Sequence, residues 1–425
     1  MVGVLLALCA LFSLVTIRDE PLRGASAARA VLALAGEGAR IVVVARPGAD
    51  GDAFASAFGV QETGHATVVE VVRGDPPEVR ARLEQLAGTF DAVATTSDVA
   101  AWPVFDALGL RADRAPRVLA APSVRRSAFL NRQNLGNVLN QIAVIGVLAV
   151  GMTIVIITGG IDLSVGSLIA LSSVLTAYLV RSLGGSDASA GAMIGASLAA
   201  ILGSSLIGAG SGAMVTRLGL PPFIATLGVM QIASGLAFMA ARGQTIYEVP
   251  RGFDWLGQRA SILGIPNAVV LMLAVYAVGH VVLARTVLGR YFYAVGGNRD
   301  AARFAGVPVL RVLLLAYAIS GLTAGIGGVI TASMLTSGAG TYGQSYELFA
   351  IAAVVVGGTS LSGGEGRMLG TLVGALVIAV IQNAMNLTGV ESYTQKVVLG
   401  AVILGAVGAD RLRRHGWSTL KGVAA

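Results

Sequence analysis

Between Arg132 and Arg181 the sequence carries a single charged residue, Asp162. The rest of that run is apolar, small or neutral, with room for two membrane crossings of about 20 residues each. A charge at the centre of a bilayer costs roughly 2.5–3.5 kcal/mol on insertion scales. Asp162 sits in Gly159-Gly160-Ile161-Asp162-Leu163-Ser164-Val165-Gly166-Ser167. The glycines there let the backbone leave helical geometry and allow close approach. The pattern predicts a discontinuous membrane helix with a functional break.

Composition divides the chain. Of its 425 residues, 55% are hydrophobic and 12% charged, which places it among polytopic membrane proteins. Yet residues 18–127 hold 27 of the 53 charges, with a net charge of −1, while the remainder carries +8. The expected fold is a polytopic α-helical membrane protein of about ten transmembrane helices with a small inserted α/β domain. Its divisions are a first helix at 1–17, the α/β domain at 18–127, a transmembrane body at 128–412 and a tail at 413–425. The basic excess fits membrane orientation, so nucleic acid is not an expected partner; membrane lipid is.

Residues 2–17 form one apolar segment, read as an anchor and not as a cleaved signal. Cys9 lies within it and has no second cysteine to pair with. Within 18–127, strand-like runs at 40–45, 66–72, 91–95 and 117–121 alternate with helical patterns at 25–36, 52–58, 78–86 and 98–108. Such alternation implies a parallel sheet. Beyond Phe129 the predicted spans are 137–158, 165–181, 189–210, 223–241, 265–284, 309–333, 347–358, 368–388 and 394–409. Small residues dominate several of them, notably over 195–212 and 321–328, and favour close helix packing in lipid. Arg285, Arg290, Arg299 and Arg303 in one loop, and Arg411, Arg413, Arg414 and Lys421 in the tail, point to the inside. That orientation puts the 18–127 domain outside the cytoplasm.

The break has an echo. Gly357-Gly358-Thr359-Ser360-Leu361-Ser362-Gly363-Gly364-Glu365 matches Gly159–Ser167 at five of nine positions. Transporters often carry broken helices at matching points of internal repeats, although glycine-rich helix breaks also look alike by chance. Candidate path and hinge residues are Gly159, Gly160, Asp162, Ser164, Gly166, Gly357, Gly358 and Ser362. Gln382, Asn383 and Asn386 share one helix face; they line a path or bond neighbouring helices. Leu361–Glu365 looks like the signature motif of an ABC ATPase. The only lysines, Lys396 and Lys421, follow no glycine-rich phosphate loop, so the chain is not itself that enzyme. Its three histidines, His65, His280 and His415, are scattered, and no metal site is expected.

Several blocks carry a family resemblance: "AVGMTIVIITGGIDLSVGSLIAL" (149–171), "LPPFIATLG" (220–228), "GRYFYAVGGN" (289–298) and "YELFAIAAVVVGGTSLSGGEGRMLGTLVGAL" (346–376). They resemble the permease subunit of ribose/xylose-type bacterial ABC sugar importers, in order, over about 129–412. The resemblance implies a non-enzymatic transport subunit of the bacterial inner membrane, paired with a second permease copy. It also implies a cytoplasmic sugar ABC ATPase, which holds the ATP and Mg²⁺, and a periplasmic sugar-binding protein. No cofactor is expected in this chain. The ATPase would dock on the loop holding Gly289, Arg290, Gly296, Gly297, Asn298, Arg299 and Arg303. One departure stands out: the family often has an acidic residue after Gly-Gly-Asn, and here Arg299 precedes Asp300.

The 18–127 domain is foreign to that pattern. Its segments 24–44 and 91–109 resemble one lobe of type I periplasmic sugar-binding proteins, which implies Asp98 as a sugar contact. Only one lobe is present, and no arginine stands within 47–58, so a spacer is the competing reading. The overall expectation is ATP-driven import of a pentose or hexose by alternating access. The alternatives are an ion-coupled transporter using Asp162 and a membrane-anchored sugar sensor. For Asp162 itself, helix capping competes with sugar binding.

Overall fold

The computed structural model describes residues 1–60, 66–109, 117–261 and 264–415. His65 and Lys421 lie outside these residues. The chain forms two compact units: residues 17–128, and residues 1–16 together with 129–425.

The second of these begins with α1 (Val2–Val15), apolar on all sides but only 14 residues long. The chain then enters the α/β unit as β1 (Ile17–Pro21), followed by α2 (Gly24–Ala35), β2 (Ala39–Ala45), α3 (Ala49–Val60), β3 (Ala66–Arg73), α4 (Pro76–Gln85), β4 (Ala92–Thr95), α5 (Ser97–Ala100), α6 (Pro103–Gly109), β5 (Arg117–Ala120) and β6 (Ser123–Ser127). Four strands form a parallel sheet in the order β3-β2-β4-β5. Residues of β2 alternate between two apolar layers. Ile41 and Val43 join Ala28, Val31 and Phe54 on one face; Val42 and Val44 join Val79, Leu83 and Val93 on the other. This is the period-2 geometry of a strand covered by helices on both sides. The helical pattern read over 98–108 is interrupted, because Pro103 has no N–H to continue a helix. The antiparallel ribbon of β1 and β6, in register Ile17 to Ser127 and Pro21 to Ser123, closes the unit where the chain enters and leaves. At the surface, Arg82 donates to Glu70 from Nε (2.7 Å) and from its second terminal nitrogen (2.9 Å), and holds that carboxyl below its ordinary range.

The other unit continues as α7 (Arg132–Ile157), α8 (Val165–Ser182), α9 (Ala190–Arg217), α10 (Pro222–Ala240), α11 (Asn267–Arg285), α12 (Val287–Gly297), α13 (Arg299–Phe304), α14 (Val309–Leu335), α15 (Tyr346–Val356), α16 (Met368–Leu387) and α17 (Ser392–His415). Seven of these described helices, α7 to α11, α14 and α16, are long and apolar enough to cross a membrane. The other three expected spans differ in kind. α1 stops where Ile17 pairs into a strand, α15 has only 11 residues, and α17 ends in Asp410, Arg411, Arg413 and Arg414.

α7 is the centre of this unit. Of its apolar window 89% is buried, against 17% for α9 on the periphery. α14 packs against α7, α8 and α9. The α9 contact is built on Ala196, Ala200, Ser204, Gly208 and Gly212, a small residue every fourth position on one face. At Gly208 an added Cβ would lie 3.0 Å from the Cα of Gly321 on α14, so the two backbones touch without side chains between them.

Candidate functional site: a junction of two helix breaks and one short helix

α7 ends in a glycine turn. Gly159 adopts φ +76°, and the Gly160 amide donates back to the Val155 carbonyl (3.0 Å), the six-to-one bond of a Schellman cap. α15 ends the same way: Gly358 has φ +90°, and the Thr359 amide donates to the Val354 carbonyl (3.1 Å). A second shared device follows each cap. The Asp162 carboxylate accepts from the Ser164 amide (3.0 Å), and the Ser360 hydroxyl accepts from the Ser362 amide (3.2 Å). The two motifs thus share a cap and a turn, although the left-handed glycine is the first of the pair at Gly159 and the second at Gly358.

They also touch. The Gly364 amide donates to the Ile157 carbonyl (2.8 Å), the last residue of α7. A Cβ on Gly363 would lie 3.0 Å from the Gly159 nitrogen and 2.8 Å from the Gly296 oxygen. At Gly296, near the end of α12, a Cβ would strike the Ile157 carbonyl oxygen and lie 2.6 Å from the Gly364 nitrogen. Three segments therefore meet backbone to backbone, and any side chain at Gly296 would force them apart. The Tyr293 hydroxyl adds a bond from α12 to the Gly366 carbonyl (2.8 Å). Beside α12, a cavity of about 1190 Å³ is bounded by His280, Tyr293, Gly358, Glu365 and Arg367.

Asp162 is fully buried and fully engaged. Its Oδ1 accepts from the Ser164 amide and from the Ser164 hydroxyl (2.6 Å), and its Oδ2 accepts from Ser320 Oγ on α14 (2.7 Å). It does not cap α8 directly, because the α8 N-cap is Ser164 and has no side-chain cap bond. Instead it closes a tight turn and ties the break to α14. The Tyr317 hydroxyl, one turn earlier on α14, packs against Gly160 and has no hydrogen-bond partner among the described residues.

α12 and α13 form the loop around Arg290 and Arg303, both exposed. Thr286 caps α12 by accepting from the Gly289 amide (3.2 Å). Asn298 caps α13, its Oδ1 accepting from the Asp300 and Ala301 amides at 3.0 Å each. Arg299, the departure from the resembled pattern, donates to the Thr158 carbonyl (3.5 Å) and so brings positive charge to the C-terminal end of α7. Gly297 is exposed and packs beside Gly364. Phe304 at the end of α13 is 91% exposed, a signal that charge counting did not pick out.

The amides of α16 are placed elsewhere. Asn383 and Asn134 on α7 form a reciprocal pair, each donating to the other at 2.8–2.9 Å. Gln382 accepts from Gln141 (3.1 Å), and Asn386 accepts from Gln395 on α17 (2.9 Å). All three amides are thus bonded to neighbouring helices, the second of the two uses the sequence offers, and Gln382 also lines a cavity of about 350 Å³. In the α/β unit, Asp98 is exposed at a crevice of about 220 Å³ shared with Arg23, Arg46, Asp50 and Thr96. The crevice lies beyond the carboxyl ends of β2 and β4, where the strand order reverses, the usual binding position of such sheets. Among the described residues no cluster of potential metal ligands occurs.

Comparison with known proteins agrees with the architecture of the helical unit. The family described as "Branched-chain amino acid transport system / permease component" matches residues 134–407. The ribose import permease protein RbsC of Bacillus subtilis (strain 168) is 44% identical over 294 residues, covering 68% of this chain and 88% of that protein. RbsC of Escherichia coli (strain K12) is 41% identical over 301 residues, covering 70% and 91%. The D-allose transport system permease protein AlsC of Escherichia coli (strain K12) is 37% identical over 285 residues, covering 67% and 85%. No solved structure matches. The α/β unit at 17–128 lies outside the region matched by the family. With more than half of its length matched and relatives of this identity nearly covered, the chain belongs to this family of transport-system permease components.

Proposed function

We propose that the chain is the permease subunit of an ABC importer that moves a monosaccharide, a pentose or hexose, into the cytoplasm. The observation that carries the mechanism is the backbone contact of α12 with both helix breaks, at Gly296, Ile157 and Gly364. A displacement of α12 and α13 reaches both breaks at once, with no side chain between to absorb it. The protein is not an enzyme; ATP and Mg²⁺ belong to a partner ATPase, which docks on α12 and α13.

In this reading the arginine-rich α12–α13 loop and the end of α17 face the cytoplasm. The 17–128 unit then lies outside the cytoplasm, and the chain crosses a bacterial inner membrane ten times, counting α1, α15 and α17. A second permease copy and a periplasmic sugar-binding protein complete the importer. Alternating access needs two arrangements that differ in their contacts. Asp162 and Ser320 hold the first break in one of them, and the unpartnered Tyr317 hydroxyl is free to take a partner in the other.

The test is co-expression with a candidate cytoplasmic ABC ATPase, purification of the complex, and ATPase assay with sugar-loaded binding protein. Co-purification with stimulated hydrolysis supports the reading. Absence of a complex with every candidate ATPase contradicts it.

A further inference from the structure

We propose that a polar cavity between α8, α10 and the start of α15 is a monosaccharide-binding subsite, in which Glu347, Gln231 and Ser167 hydrogen-bond sugar hydroxyls. This rests on the sugar-permease reading above and names a place where the substrate is held on its way through.

The cavity exists because the chain re-enters the helical unit. α14 ends at Thr336, a non-glycine residue at φ +45°, and α15 begins after Ser345 at φ +66°. Between them the backbone runs back along α8. Gly338 packs against Ser173 and Ala177, and Gly343 packs against Ile169 and Gly166. Non-helical backbone at membrane depth is tolerated where it is buried in protein or lines a polar cavity. Here it does both.

The cavity measures about 260 Å³ and is lined by Ser167, Gln231, Ser234, Gln344, Ser345 and Glu347 among others. That is below the roughly 300–1,000 Å³ of drug-sized ligand sites, and suits one small ring. Gln231 is the middle residue of the 19 in α10, so it sits at mid-depth of a crossing helix. α15 is 11 residues long, about 16 Å, which places Glu347 about half of a 30 Å apolar layer above the junction of the breaks.

The Tyr342 hydroxyl in the lining is already bonded to Ser337 (2.6 Å), but the groups proposed as ligands are free. Among the described residues the side chains of Gln231 and Gln344 have no hydrogen-bond partner, and the Glu347 carboxylate has none beyond its own backbone amide. Gln231 and Gln344 are exposed and Ser167, Ser234 and Glu347 half-buried, so their polar atoms are open to a ligand in the cavity, and hydroxyls bound to the Glu347 carboxylate would offset the cost of a charge at membrane depth. A carboxylate, two primary amides and several hydroxyls offer both acceptors and donors, as a polyol requires. None of the lining residues is basic, so an anionic substrate group finds no counter-charge. A Cβ at Gly166 would strike Glu347 Oε2 and lie 2.6 Å from the Gly343 oxygen, so a glycine there keeps α8 against the cavity wall.

The test uses the full importer, permease with ATPase and binding protein, in proteoliposomes. Uptake of labelled D-ribose, D-allose, D-xylose and D-galactose is measured beside ATP hydrolysis. The subsite predicts that Glu347→Gln and Gln231→Ala each cut uptake at least tenfold, while ATPase stimulation by the loaded binding protein stays within twofold of wild type. A Ser234→Cys variant in a Cys9→Ser background gives an independent readout in the same complex. A charged thiosulfonate should label it, and the transported sugar, but not L-leucine, should slow the labelling at least threefold. If the wild type transports a sugar but both cavity variants match it and labelling ignores the sugar, the subsite is overturned and the permease reading stands. A wild type that transports none of these sugars overturns both.

Discussion

Asp162, in the break between α7 and α8, accepts a 2.7 Å hydrogen bond from Ser320, eleven residues into α14 from its first residue. With the two bonds from Ser164, both carboxylate oxygens are occupied at a site with no solvent access. The residue that looks most expensive in the sequence is therefore a structural tie.

That relationship predicts an asymmetry between two substitutions. Asp162→Asn retains an acceptor for Ser164 and a polar contact for Ser320, so ATP-driven uptake should persist at a third or more of the wild-type rate. Asp162→Ala leaves two buried hydroxyls and an amide without their acceptor. At about 1–3 kcal/mol for each unsatisfied group, it should sharply lower the thermal midpoint in detergent. Differential scanning fluorimetry and uptake assays distinguish the two.

Gly296→Val places side-chain atoms where α12 meets Ile157 and Gly364. The variant should insert in the membrane with normal helix content by circular dichroism, yet lose at least tenfold in ATP-driven uptake. The residual ATPase activity of the complex should no longer respond to loaded binding protein.

Phe304→Ser removes the most exposed large side chain of the α12–α13 loop without touching the buried face formed by Phe292, Val295 and Ala302. The thermal midpoint of the isolated permease should not move. Affinity for the partner ATPase, measured by titration in nanodiscs, should weaken about tenfold, as expected for loss of an aromatic anchor.

Asn134 and Asn383 bond each other twice, so they should couple in a double-mutant cycle. Each single change to Leu should cost about 1–2 kcal/mol of stability, and the double change less than the sum. Uptake by the double variant should remain, in keeping with a bond between α7 and α16 and no role on the substrate path.

Tyr317→Phe removes a buried hydroxyl that has no partner among the described residues. Stability should hold or rise slightly, while the rate of uptake falls, if that hydroxyl serves the other arrangement of the break. Parallel melting and transport assays read the two effects separately.

Much of the architecture was legible in the chain itself. The four strands of the parallel sheet fall within one residue of the apolar runs, since β2 and β4 are buried on both faces and show no polar alternation, whereas the polar β1 and β6 (IRDEP and SVRRS) carry no such signal and are not among the expected strands. The helix breaks were legible from glycine and from one charge. What the sequence hid was contact between distant segments. Nothing local to Gly296 says that it abuts Ile157, and nothing local to Gln382 and Asn383 says that their partners are Gln141 and Asn134. The re-entry of 336–345 was also hidden, because its glycines read as an ordinary loop until α8 is seen behind them. Glu347 passed unremarked for the same reason.

In the proposed mechanism ATP hydrolysis in a partner drives sugar through this chain, with the junction of α12 and the two breaks as the transmission. The most direct measurement is uptake of labelled D-ribose, D-allose, D-xylose or D-galactose into proteoliposomes holding the permease, its ATPase and its binding protein. Proton and sodium gradients are collapsed by ionophores. Uptake should require hydrolysable ATP, survive the ionophores and disappear in Gly296→Val. Uptake without ATP that the ionophores abolish would contradict the mechanism, and would make Asp162 the coupling group of an ion-driven carrier.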